Sequence, residues 1–164
     1  MKCPITIYAV LDLDNTETYG QTHNEHIIMS VMTDKLCRKI DKIMKKERKC
    51  KGVKVTVVGA ANETNARYLS VFLERVLCMM NSIFKQPKVE FKNFVLLDNN
   101  GKALRPRTGC LLASDSPPSD VFGRFIFLTS RPYVRALLKK RCSWWGGTVG
   151  RLTSVSKLKW TGIR

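Results

Sequence analysis

The chain has 164 residues, 44% of them hydrophobic, and carries 29 Lys or Arg against 13 Asp or Glu, a net charge of +16. That length and apolar content specify one folded domain with a real core and argue against a disordered chain. The charge destabilises any compact state by self-repulsion, so it points to an anionic partner: a phosphate backbone, an acidic membrane surface or an acidic protein.

Residues Ile5 to Leu13 alternate apolar and polar with a period of two and predict a strand. Thr22 or Asn24 can cap the helix that follows, expected over about residues 24–48. Ile28, Met32, Leu36, Ile40 and Ile43 give it an apolar stripe, and Lys35, Lys39, Lys42, Lys46 and Lys49 line another face. Gly52 ends it, and Val53, Val55 and Val57 start a second strand. A second helix is expected over residues 64–84, with apolar residues most of the way round. Such a helix is central to a core or part of a subunit interface, and Phe72, Val76 and Met80 are its candidate self-association residues.

Pro87 stops that helix. Residues 89–97 predict a third strand in which Phe91, Asn93 and Val95 alternate with Lys92, Phe94 and Leu96. Asp98-Asn99-Asn100-Gly101 is a turn signal, and residues 103–113 are expected to return as a hairpin partner, with Pro106 confining the start to an edge. Residues 114–120 read as a mobile loop. Residues 125–128 predict a short strand, and Pro132 opens a short helix ending at Arg141. A glycine-rich turn over residues 144–150 and a last strand over residues 152–159 complete the chain. The expected architecture is a single compact α+β domain over residues 1–164, strand-helix-strand-helix and then a strand-rich half with one short helix.

Ten Lys or Arg and no Asp or Glu fall between Val121 and Arg164. Lys139, Lys140 and Arg141 form one cluster, with Trp144 and Trp145 beside it as candidates to stack on bases or sit at a lipid interface. Together with Lys35, Lys39, Lys42 and Lys46 they predict an electropositive surface for nucleic acid or anionic lipid.

Catalytic signals are sparse. The six cysteines are widely spaced with no CxxC, and His23 and His26 have no cysteine neighbour, so no metal site is expected. Asp12-Leu13-Asp14-Asn15-Thr16 at the end of a strand resembles the first motif of the haloacid dehalogenase-like phosphatases, and Leu128-Thr129-Ser130 their second. That resemblance implies Asp12 as nucleophile, Asp14 as general acid/base and Mg²⁺ between them. The order departs from the family, since Asp98, matched to the last motif, precedes Thr129, and Asn99 stands where a paired acid belongs. No P-loop or GxSxG occurs. The expectation is a non-enzymatic protein without a cofactor. The opening Met1-Lys2-Cys3-Pro4 has no apolar signal core, and no apolar run approaches the roughly 20 residues of a membrane span, so the expected location is intracellular, with membrane contact peripheral.

The opening strand leading through Thr18-Tyr19 to a long helix and a second strand resembles the small basic matrix proteins of plant-infecting rhabdoviruses. So does the ending, a helix from Leu137, a basic turn, Trp-Gly and Leu152-Thr153-Ser154-Val155-Ser156. The likeness covers about a third of the chain. The disordered basic arm and proline-rich motif of that family have no counterpart here. The resemblance implies a structural protein of the virion that self-associates as a homo-oligomer. It implies binding of nucleoprotein or RNA and contact with an anionic membrane surface during assembly and budding, in host cytoplasm, at the membrane and in the virion. The same residues also fit a plain RNA-binding protein, such as a viral suppressor of host defence, and the Mg²⁺-dependent phosphatase ranks third.

Overall fold

The structure, a computed structural model, describes residues 4–14, 28–47, 49–84, 88–106, 109–116, 123–129 and 131–147. The expected caps Thr22 and Asn24, both histidines, Pro87, the centre of the expected loop (117–120), the last strand (152–159) and the side chain of Trp144 lie outside the described residues.

The protein is a mixed α and β domain built on one five-stranded sheet. Its strands are β1 (Ile5–Asp12), β2 (Val53–Ala60), β3 (Val89–Leu97), β4 (Ala103–Leu104) and β5 (Arg124–Phe127), in the spatial order β4-β3-β2-β1-β5. β1 pairs in parallel with both β2 and β5, and β2 with β3; only β4 runs antiparallel. Parallel neighbours require crossovers. The first is a helix that is α-helical at residues 28–30, widens to a π turn (Val31–Leu36) and continues as α1 (Cys37–Lys46). The second is α2 (Glu63–Ile83), capped by the Asn62 side chain, which accepts from the Asn65 N–H at 2.9 Å.

The π turn has a packing reason. Residues spaced by four drift about 40° per step on a 3.6-residue helix. The wider turn absorbs that drift, so Ile28, Met32, Leu36 and Ile40 all stay fully buried. Both α1 and α2 pack on one sheet face, where Ile7, Leu11, Val55, Phe91, Phe94 and Leu96 meet Leu36, Ile40, Leu69, Leu73, Leu77 and Met80. On the opposite face α3 (Pro132–Gly147) lays Val134, Leu138, Cys142 and Trp145 on Tyr8, Val10, Phe125 and Phe127.

Three expectations are corrected. The hairpin partner expected over residues 103–113 is only two residues long, because the chain turns away after Leu104 and returns to β3 through a bridge between Phe94 and Ala113. The glycine-rich turn expected from residue 144 is helix as far as Gly147, since Trp145 continues the buried stripe of α3 at helical spacing. The alternation expected along β3 is broken by a bulge. Val55 pairs with Phe91 but Thr56 pairs with Asn93, so Lys92 is an extra residue. Phe94 and Leu96 therefore join Phe91 on the α1/α2 face, while Asn93 and Val95 turn to the other.

Candidate anion-binding surface

α1 carries Arg38, Lys39, Lys42, Lys45 and Lys46 against the single acid Asp41. α3 carries Arg135, Lys139, Lys140 and Arg141 with no acid, and Arg131 precedes it. The two helices cover opposite faces of the sheet, yet their basic sides converge beside the edge strand β5. Lys39, half-buried, is held below the usual lysine pKa, first by burial, then by the positive charges of Lys42 and of Arg135 across from it on α3. Arg135 donates to the Thr129 carbonyl at 3.3 Å, and its Nε is buried without a partner among the described residues. Arg124 at the start of β5 reaches Glu47 at the end of α1 at 3.3 Å, tying strand to helix.

Lys35, Lys42 and Lys46 are exposed, as are Lys139 and Lys140; Arg141 is half-buried and donates to the Asn99 side chain. Trp145 is not on the surface. It is 3% exposed and meets Tyr8 edge-on with ring centroids 6.2 Å apart. The exposed aromatic of α3 is Tyr133, 74% accessible. Helical spacing aligns it with Leu137, itself partly exposed, and with Lys140 and Arg141. Phe72, Val76 and Met80 are also corrected: all three are buried against the sheet and offer no surface to a second copy.

Sequence reasoning missed Arg135 and Tyr133. The signal for the first was present in Arg131, Arg135 and Lys139, which repeat at intervals of four and so share a helix face. Tyr133 sits one position inside the first turn of α3, away from the basic run that draws the eye to the tryptophans.

The strand ends hold a second cluster of polar groups. In open parallel sheets ligands gather at the carboxyl ends, where the strand order reverses, here between β1 and β5. Asp12 and Thr129 lie at those ends. The Asp12 carboxylate accepts from the Asp14 N–H at 3.1 Å, and Asp14 accepts from the Asn65 side chain at 3.0 Å. Asp98 follows the end of β3, which lies two strand spacings from β1, about 10 Å away. Among the described residues no three His, Cys, Asp or Glu side chains come together as metal ligands. Neither Cys37 nor Cys142 is an activated nucleophile. Burial pushes Cys142 up to about 12, and burial with Asp41 and Asp34 pushes Cys37 up to about 11, the reverse of a reactive thiol.

No protein-family model, no curated protein and no solved structure matches this chain. Among the described residues no helix is long and apolar enough to cross a membrane.

Proposed function

We propose that the protein binds RNA, free or within a ribonucleoprotein, through the basic surface that α1 and α3 build around β5. The observation that carries this reading is that Arg135 on α3 lies near enough to Lys39 on α1 for the two positive charges to repel, although the helices cover opposite sheet faces. Bringing like charges together on helices that carry Asp41 as their single acid is unfavourable unless a polyanion is the partner. Phosphates neutralised there release counterions, which supplies affinity independent of sequence. Tyr133, exposed beside Lys140 and Arg141, gives an unpaired base a ring to stack on.

The test is single-stranded RNA binding over a salt series. Replacing Lys39, Lys42 and Arg135 together by Gln is expected to reduce the slope of log K against log salt by about 2, given about 0.7 per phosphate contact on single strands. An unchanged slope would sink the reading.

A second reading, assembly of matrix type on an anionic membrane, draws support from α2. Tyr68, Val71, Met79 and Ile83 form an exposed apolar stripe on a helix whose two Glu and two Arg cancel. A second copy of so basic a chain meets least repulsion there. Sedimentation velocity of the protein alone, with flotation on phosphatidylserine vesicles, tests it. A monomer that leaves vesicles unbound rules it out.

A further inference from the structure

On the α3 face the sheet is apolar only in its upper half. The lower half, toward the strand starts, forms a groove of about 230 Å³ lined by Thr6, Lys54, Thr56, Lys92, Asn93, Ser114 and Ser116 together with Tyr8, Val95 and Trp145. We infer that this groove is a phosphate-binding site, fitted to the phosphate group of a nucleotide or of a nucleic-acid strand.

Three features build it. The bulge in β3 turns two consecutive side chains, Lys92 and Asn93, into the same groove, where regular alternation would send one of them to the opposite face. The Thr56 hydroxyl donates to the Asn93 side-chain oxygen at 2.7 Å, which fixes the amide with its NH₂ as the remaining donor. The returning loop is locked to β3 by two backbone bonds, Phe94 N–H to the Leu112 carbonyl and Ser114 N–H to the Phe94 carbonyl, and this brings Ser114 alongside.

The chemistry of the lining is one-sided. It holds two ammonium groups, the aliphatic hydroxyls of Thr6, Thr56, Ser114 and Ser116, one amide and no carboxylate, beside Val95 and the rings of Tyr8 and Trp145. Parallel sheets are ordinarily covered on both faces by apolar packing, so a polar lower half on the inner strands β1, β2 and β3 has no packing purpose. The volume lies below the roughly 300–1,000 Å³ of drug-sized pockets and fits a phosphate with its sugar. The rings of Tyr8 and Trp145 are buried and form a wall, so specificity for a base is not part of the assignment. Its ammonium groups, Lys54 and Lys92, are not among the basic residues of α1 and α3, so the site stands whether or not that surface binds RNA.

The experiment is an amide-resolved NMR titration of the full chain with inorganic phosphate, with adenosine monophosphate and with an eight-nucleotide single-stranded RNA. Saturable shifts at the amides of Thr6, Thr56, Asn93 and Ser114 are expected. The Lys54→Gln/Lys92→Gln variant should weaken the binding that produces them at least tenfold. A charge-matched Lys49→Gln/Lys102→Gln control should stay within twofold. Shifts with the monophosphate assign a small nucleotide as ligand; shifts with the octamer alone assign a strand. Shifts confined to α1 and α3, or equal weakening in both variants, overturn the groove and leave the RNA surface untouched. Both variants exchange exposed lysines, so matching amide spectra without ligand establish that the fold is intact.

Discussion

The side chain of Asn81 closes both backbone polar groups of Phe91, accepting from its N–H at 2.6 Å and donating to its carbonyl at 3.0 Å. β4 pairs only with Leu96 and Leu97, so at Phe91 the outer side of β3 has no strand beside it among the described residues. A helix residue thus takes the place of the missing strand, directly before the bulge. Asn81→Ala removes both bonds. It should cost about 1–3 kcal/mol, read as a lower urea midpoint at unchanged m, with Asn81→Asp recovering only the bond from the Phe91 N–H. An Ala variant as stable as the parent would deny the contact this role.

Lys39 gives a prediction with opposite signs for stability and binding. Its proton is held more weakly in the folded state than in the unfolded chain, whose lysine titrates near 10.5. Between those two pKa values the unfolded state binds more protons, so stability rises with pH there, and the penalty from Lys39 is fully present below the folded value. Lys39→Met should therefore stabilise the protein at pH 7 by about 0.2–0.5 kcal/mol, the scale of exposed like-charge neighbours on a helix. The advantage should shrink as pH passes 10.5. The same variant should bind RNA more weakly. Thermal melts at pH 7 and pH 10.5, with one binding isotherm, check both signs.

Gly52 stands where two strand entries pass closely. A Cβ at this position would lie 2.6 Å from the Lys88 carbonyl oxygen, a backbone atom that accepts from the Val53 N–H. The Gly52 carbonyl also accepts from the Ile5 N–H. Gly52→Ala must therefore push β2 from β3 at the start of both, at a cost of about 1–3 kcal/mol. At Gly59 the nearest atoms are the ends of the Leu13 and Leu96 side chains, which can rotate. Gly59→Ala should cost less, and denaturant midpoints for the two variants rank them.

The periods of the sequence carried β1, β2 and α2 to nearly their true bounds, and the first helix to its end, because the apolar residues of each recur with the period of the element itself. What they could not carry was pairing between distant segments. The parallel order depends on contacts such as Arg124 with Glu47, 77 residues apart, and no local pattern encodes it. The bulge left a trace. Lys92 and Asn93 stand as two polar residues between Phe91 and Phe94, and both phenylalanines are buried on one face. A spacing of three between same-face residues does not fit a period of two. At Trp145 the local signals conflict: Gly146-Gly147 marks a turn, yet Val134, Leu138, Cys142 and Trp145 keep helical spacing throughout, and the buried stripe prevails. The basic residues of α1 and α3 were legible as clusters. Their meeting beside β5 was not, since it follows from the helices covering opposite faces of one edge.

The two sides of α2 make the last prediction. Val76 is 1% exposed and packed with Leu73, Leu77 and Met80 against the sheet, whereas Val71, on the outer stripe, is 39% exposed. A carboxylate at position 76 would be buried with nothing to pair it, and such a group costs several kcal/mol even after its pKa has moved. Val76→Asp should therefore lose the folded circular-dichroism signal at 25 °C. Val71→Asp should stay within about 0.5 kcal/mol of the parent, as surface changes do. If copies assemble through α2, Val71→Asp and Ile83→Asp should lower the sedimentation coefficient while the melting curve stays in place. A folded Val76→Asp that dissociates an assembly would instead return the interface to Phe72, Val76 and Met80, and the packing of α2 on the sheet would be wrong.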